Sequence, residues 1–222
     1  MIKLVKKIGP FIIILFICFD LYAETLINLP KPRTKGNLSL EETLNKRRSL
    51  REYSSEALTL TEVSQLLWSS QGITDEKGRR TAPSAGALYP ISVYLVAGNV
   101  KNISSGLYKY EPHNHQLIKI KEGDIRDFLS KASLGQPWVR NAPINLVITA
   151  VYEITTRKYG ERGIRYVHIE VGHAAQNVLL QAVALDLGAV PVGAFNDEDV
   201  KKILNLKETE QPLYIIPVGR KK

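Results

Sequence analysis

Cysteine is nearly absent from this chain: of 222 residues only Cys18 carries a thiol. One thiol excludes an internal disulfide framework and a cysteine-based metal centre. Histidine is scarce as well, with four in all. His113 and His115 fall in a polar turn. His168 and His173 stand five residues apart, off a shared helix face, and no HExxH occurs. Metal dependence is therefore not expected. Several familiar phosphate and nucleophile motifs are missing too. No GxGxxG follows a strand-like run, and there is no GxxxxGK[ST]. Ser84 is not in a GxSxG elbow, so it is not read as a nucleophile. There is no internal repeat and no low-complexity tract.

The charge balance is basic, +8 with a pI of about 9.5. Such a balance suits nucleic acid, an anionic membrane surface or an anionic ligand. The basic residues form small separate clusters, at Lys46-Arg47-Arg48 with Arg51, at Arg79-Arg80, and at Arg220-Lys221-Lys222. No nucleic-acid motif accompanies them, so nucleic acid is not expected, and a small phosphate-bearing ligand fits better. Residues 1–23 read as a signal peptide. Lys3, Lys6 and Lys7 precede an apolar run of 12 residues, Ile8 to Phe19, and Leu21-Tyr22-Ala23 offers a cleavage site. An uncleaved anchor is the competing reading, and membrane contact is expected only through this segment. Export, with a periplasmic destination, is the expectation. Residues 24–38 form a polar, Pro-bearing extended arm, and 39–222 a single domain.

Within that domain Ser39 caps a helix, with Glu42 completing a capping box, and Thr59 or Thr61 caps a second. Ile91 to Ala97 reads as a strand. Tyr108-Lys109-Tyr110 and Gln116 to Ile120 form a hairpin, and Ile144 to Val151 is a buried strand. The dominant element is a helix from about Arg165, carrying Val167, Ile169, Val171, Ala174, Ala175, Val178, Leu179 and Ala182. These positions nearly encircle it, which predicts a helix buried on all sides, ended by Gly188 as a left-handed cap. The strand Leu213 to Val218 closes the chain. Strands and helices mix without strict alternation, which favours a layered α+β fold.

Four stretches carry unusual chemistry. RRSLREY places Arg47, Arg48, Ser49 and Arg51 at a helix end, where guanidinium groups can hold a phosphate through paired charge-assisted hydrogen bonds. PSAGALYP, with Pro83, Ser84, Ala85, Gly86 and Leu88, is small enough for a planar ring to approach the backbone. Pro191, Val192, Gly193 and Ala194 follow the long helix. Gly219 and Arg220 end the last strand and could bring another cation to the same phosphate. Taken singly, each has an ordinary reading as a helix end, a turn, a core segment or a terminus.

In this order the four stretches resemble the nitroreductase superfamily, and most closely its SagB-type dehydrogenase branch, known for oxidising thiazolines and oxazolines to azoles. The resemblance spans about Ser39 to Arg220. It implies a three-layer α+β fold around a central mixed, mainly antiparallel sheet flanked by helices. It also implies a homodimer with FMN at the subunit interface. Arg47, Arg48, Ser49 and Arg51 would hold the FMN phosphate and pyrimidine edge, joined by Gly219 and Arg220. Pro83, Ser84, Ala85, Gly86 and Leu88 would reach the flavin from the partner. Pro191, Val192, Gly193 and Ala194 would lie along the ring. Val192 stands where many nitroreductases place an acid, as the SagB-type branch tends to.

The resemblance also singles out Lys158-Tyr159 as the catalytic pair, with lysine taking a proton while hydride leaves to the flavin. The expected activity is an FMN-dependent oxidoreductase acting on a small-molecule or peptide substrate. The alternative is a flavin-binding scaffold without turnover.

Overall fold

The computed structural model describes residues 25–222. The expected signal peptide at 1–23 lies outside the described residues. In chain order the elements are β1 (Leu26–Asn28), α1 (Leu40–Lys46), α2 (Leu60–Gln71), a 3-10 turn (Ala85–Ala87), β2 (Ile91–Ala97), β3 (Gly106–Glu111), β4 (Gln116–Glu122), α3 (Arg126–Ala132), α4 (Pro137–Asn141), β5 (Ile144–Val151), α5 (Tyr152–Tyr159), α6 (Arg162–Ala184), β6 (Leu187–Ala189), α7 (Asp197–Leu204) and β7 (Glu210–Arg220). The strands form one sheet in the order β1-β4-β3-β2-β5-β7-β6, and every ladder is antiparallel. Parallel pairing is confined to the isolated bridges Ser49–Ala189 and Leu58–Val100 among the described residues.

Strand periodicity divides the core in two, because successive side chains point to opposite faces. Ile91, Val93 and Leu95 of β2 join Ile144, Leu146 and Ile148 of β5 on the face packed by α2 and α6. Tyr94, Val96, Val147 and Ile215 line the other face, with Leu129 of α3, Val139 of α4 and Val200 of α7. Two helical layers thus sandwich the sheet, the α+β arrangement expected. The arm contributes a strand: β1 pairs with β4 at the sheet edge. The expected capping box of Ser39 with Glu42 forms, Thr59 rather than Thr61 caps α2 and forms a capping box with Glu62, and Asn196 caps α7. Among the described residues no helix is long and apolar enough to cross a membrane.

Two expectations for the long helix are corrected. First, α6 is not buried all round. Val167, Val171, Ala174, Ala175, Val178, Leu179 and Ala182 form one stripe at 3–4-residue spacing and are buried. Ile164 and Ile169 stand 43% and 49% exposed on the other side. Apolar residues off the stripe made the pattern look continuous. Second, Gly188 is not the cap. The helix ends at Ala184, and the left-handed residue is Asp186, with φ of 59°. Gly188 already lies in β6, where a β-carbon would meet Leu50 Cβ at 3.1 Å.

Candidate active site

RRSLREY does not continue α1. The helix ends at Lys46, and the chain then runs extended along the sheet margin. Leu50 N–H donates to Ala189 C=O at 3.0 Å, and Ser54 N–H to Arg220 C=O at 3.0 Å. Tyr53 packs beside Gly219, where a β-carbon would fall 2.8 Å from its ring and 2.6 Å from Pro143 Cδ. Gly219 is thus a close-packing glycine, and burial pushes the Tyr53 phenol well above its ordinary value. The missing side chains at Gly188 and Gly219 let the basic stretch lie against β6 and β7.

Three of the four motifs therefore come together. Arg47, Arg48 and Arg51 have no carboxylate within 4.0 Å among the described residues. Arg48 Nη1 donates to the carbonyls of Asn45 and Arg47 at 2.9 and 2.7 Å, closing the end of α1. The Arg51 guanidinium sits over the Trp138 ring at 5.3 Å, and the buried indole N–H of Trp138 has no partner. Arg220 behaves differently. Its guanidinium bridges Glu56 and Glu62, each at 3.0 Å. Ser49 is exposed beside these arginines.

Behind them runs the segment after β6. Val192 exchanges both backbone hydrogen bonds with Ile215, at 2.7 and 3.0 Å, and buries its side chain. Pro191 has no N–H to offer. Gly193 and Ala194 are exposed, and Gln136 Nε2 donates to the Ala194 carbonyl at 2.9 Å. Above Gly193 there is open space, since a β-carbon there would meet only Tyr214, at 3.8 Å. Unmatched guanidinium groups beside a bare stretch of Gly and Ala backbone, with an unpartnered indole N–H nearby, suit a phosphorylated planar ligand. The residues present fit FMN.

The fourth motif stands with a different group. Loop Pro83–Pro90 turns through a one-turn 3-10 segment with positive φ at Gly86 (63°), Ala87 (52°) and Tyr89 (50°). A β-carbon on Gly86 would lie 2.7 Å from Tyr159 Oη and 2.9 Å from Lys158 Nζ. Lys158 Nζ also lies 5.4 Å from the centroid of the Tyr159 ring, and the Tyr159 and Tyr166 rings meet edge-on with centroids 5.2 Å apart. The expected catalytic pair and the small-residue loop, far apart in sequence, thus meet. Pro83 is exposed and Leu88 half-buried. No hydrogen bond among the described residues links this loop to residues 47–51 or 191–194.

Sequence reasoning missed Glu170. It lies three residues after Val167 and four before Ala174, on the apolar stripe of α6, and is 2% exposed. That position on a buried stripe was the available signal. Glu170 Oε2 accepts from Ser84 Oγ at 2.5 Å, while Oε1 has no partner. Burial pushes its carboxyl up to about 7, against the opposing pull of the Ser84 hydrogen bond and of Arg80. Arg80 itself stacks on Tyr89 at 4.4 Å and donates to Gln71 Oε1 at 2.7 Å.

The raised carboxyl has a stability consequence. A group that holds its proton more tightly when folded favours the native state below its unfolded pKa, ordinarily 4.5, and that contribution is lost as pH rises through about 7. Glu170→Gln mimics the protonated form. It is expected to match wild type near pH 4, below the unfolded pKa, and to exceed it at pH 8 by on the order of 1–3 kcal/mol. Thermal melts at the two pH values check this, and an equal difference at both would overturn it.

With this geometry in hand, comparison with known proteins defines the class. The nitroreductase family profile matches residues 44–220, and the chain belongs to the nitroreductase family. A protein of Methanocaldococcus jannaschii, provisionally named a nitroreductase, is 50% identical over 184 residues, covering 83% of this chain and 92% of that protein. The crystal structure of a protein from Ralstonia eutropha JMP134, also provisionally named a nitroreductase, superposes with a TM-score of 0.79. It is 32% identical, with 89% of this chain and 90% of that chain covered. The Escherichia coli microcin B17-processing protein McbC is 32% identical over 143 residues, 62% of this chain and 53% of McbC. The chain thus spans about half the length of McbC. The structure of the E. coli microcin synthetase McbBCD complex with truncated pro-MccB17 bound matches with a TM-score of 0.69 and 26% identity, covering 86% of this chain and 75% of that one.

Proposed function

We propose that this protein is an FMN-dependent oxidoreductase of the SagB-like kind, exchanging a hydride between bound FMN and a small or peptidic substrate. The observation that carries this reading is the meeting of Lys158 and Tyr159 over Gly86. A base and a phenol are there held together on the small-residue loop. The likeness to McbC, a microcin-processing protein, supports the SagB-like assignment.

Arg47, Arg48, Ser49 and Arg51 would hold the phosphate and pyrimidine edge. Pro191, Val192, Gly193 and Ala194 would form the surface along the ring, with Gly193 and Ala194 offering exposed backbone. Gly219 and Arg220 would support the phosphate side from beneath, since Gly219 admits Tyr53 and the Arg220 carbonyl holds Ser54. FMN, when bound, supplies the hydride acceptor. Lys158 in its neutral form would take the proton from the atom next to the one losing hydride, and Tyr159 would orient the amine or relay the proton. The exposed Ile164 and Ile169 of α6 suit burial against a second copy. Pro83, Ser84, Ala85, Gly86 and Leu88 would then reach the partner's flavin. Residues 1–23 are proposed to direct export, with N-terminal sequencing of the purified protein as the check.

The deciding measurement is flavin uptake with mass. Purified protein should be yellow, release FMN on denaturation and scatter light as a dimer. Colourless protein that also fails to take up added FMN would sink the proposal. A monomer that binds FMN tightly would refute the shared site.

A further inference from the structure

We propose that Glu170 is a positioning residue for the Lys158–Tyr159 pair, anchoring through Ser84 the loop on whose Gly86 the two side chains rest. The inference rests on the reading above in giving the pair its chemical role.

The loop needs an anchor. Ala87 and Tyr89 hold left-handed backbone conformations that side-chain-bearing residues adopt only when their surroundings impose them. Ser84 supplies most of what holds the turn shut. Its carbonyl accepts from Ala87 N–H at 3.0 Å, and its hydroxyl oxygen accepts from Tyr89 N–H at 2.9 Å. The remaining closure, Leu88 N–H to Ala85 C=O, is long at 3.4 Å. The Ser84 hydroxyl has one proton, and it goes to Glu170 Oε2 at 2.5 Å. Ser84 thus joins the turn to the body of the protein through a single side chain. That side chain rises from α6, which packs against the sheet.

Packing alone does not explain a carboxyl at this place. The neighbours on the stripe, Val167, Val171 and Ala174, are apolar and buried. A leucine would fill the same space without burying a polar oxygen, and Oε1 is left without a partner. Nor is Glu170 half of an ion pair, since no cation lies within 4.0 Å of it among the described residues. Arg80 influences it from a distance but is engaged with Gln71 and Tyr89. What the carboxyl provides is an acceptor aimed at Ser84. Gly86 completes the device. With φ of 63° and no β-carbon, it lets Tyr159 Oη and Lys158 Nζ sit directly on the turn. Displacing the turn removes the surface that sets where those two polar atoms stand.

The test uses the full chain without flavin and reads two local probes. One is hydrogen exchange of the Tyr89 amide. The other is trace acylation of Lys158 by acetic anhydride, normalised to other exposed lysines. In Glu170→Leu the Tyr89 amide should exchange about tenfold faster, the effect of losing one ordinary hydrogen bond. Exchange at Ala174–Val178 in α6 should be unchanged, and the acylation rate of Lys158 should shift toward that of an ordinary surface lysine. Glu170→Gln keeps an acceptor and should keep both readings at wild-type values. Should Glu170→Leu fail to fold, Ser84→Ala breaks the same link from the loop side; because it also removes the Tyr89 N–H acceptor, its reading is the Lys158 acylation rate, which should shift in the same way. Wild-type readings in Glu170→Leu or Ser84→Ala would overturn the proposal, as would Glu170→Gln behaving like Glu170→Leu. Neither probe involves flavin, so a failure to bind FMN would refute the proposed function while leaving this result intact.

Discussion

Lys158→Ala is expected to leave FMN bound with an unchanged spectrum and to slow substrate-driven flavin reduction by about 10²-fold or more, the usual size of a general-base contribution. Tyr159→Phe should fall in the same direction by a smaller factor, because the ring packing on Tyr166 survives and only the hydroxyl is lost. The comparison that isolates the base is reduction by dithionite, which delivers electrons without removing a proton from a carbon or nitrogen acid. Both variants should match wild type there. Stopped-flow absorbance of the flavin band reads both half-reactions. A peptide carrying a thiazoline is the natural first reductant. If both variants accept electrons from a true substrate at the wild-type rate, the pair is structural and the dehydrogenase reading loses its base.

The second large effect concerns the phosphate side. Arg48→Ala and Arg51→Ala should each weaken FMN binding by about tenfold to a hundredfold, since a charge-assisted hydrogen bond contributes roughly 1.5–3 kcal/mol. Neither arginine has a carboxylate partner among the described residues, so removing it strands no opposite charge. Arg220→Ala should act differently. Glu62 accepts from Arg220 and also closes the capping box at Thr59, with Glu62 Oε2 2.8 Å from Thr59 N. Its loss should lower the melting temperature, with any change in FMN affinity following from the loosened strand at Ser54. Isothermal titration with FMN alongside thermal melts separates the two. Unchanged affinity in both Arg48→Ala and Arg51→Ala would place the phosphate elsewhere.

The contrast between Arg220 and its neighbours shows where sequence reading stops. All four arginines looked alike along the chain. Which of them are free depends on whether Glu56 and Glu62 come close, and those carboxylates arrive from a different part of the chain. Gly188 and Gly219 present the same case. A glycine after the long helix invited a cap and one before Arg220 a ligand contact, whereas close packing of Leu50 and Tyr53 uses the missing side chain. In both instances the deciding partner is remote in sequence.

Local chemistry did determine a good deal. The capping boxes at Ser39 and Thr59, the β-branched runs of β2 and β5, and the α+β layering follow from short-range periodicity and hydrogen-bonding groups a few residues apart. The order of the four motifs determined the family for the same reason, since each motif is a contiguous stretch. Tertiary structure alone decided that Lys158 and Tyr159 rest on Gly86, and that an acid on the apolar stripe of α6 holds that loop through Ser84. It also decided that one face of the long helix stays open. The physical reason is that burial, partnering and strain are properties of surroundings assembled from distant segments. A carboxyl at position 170 is merely polar in the sequence. It becomes a buried acceptor with a raised affinity for its proton only when α6 packs against the sheet and the loop closes over it.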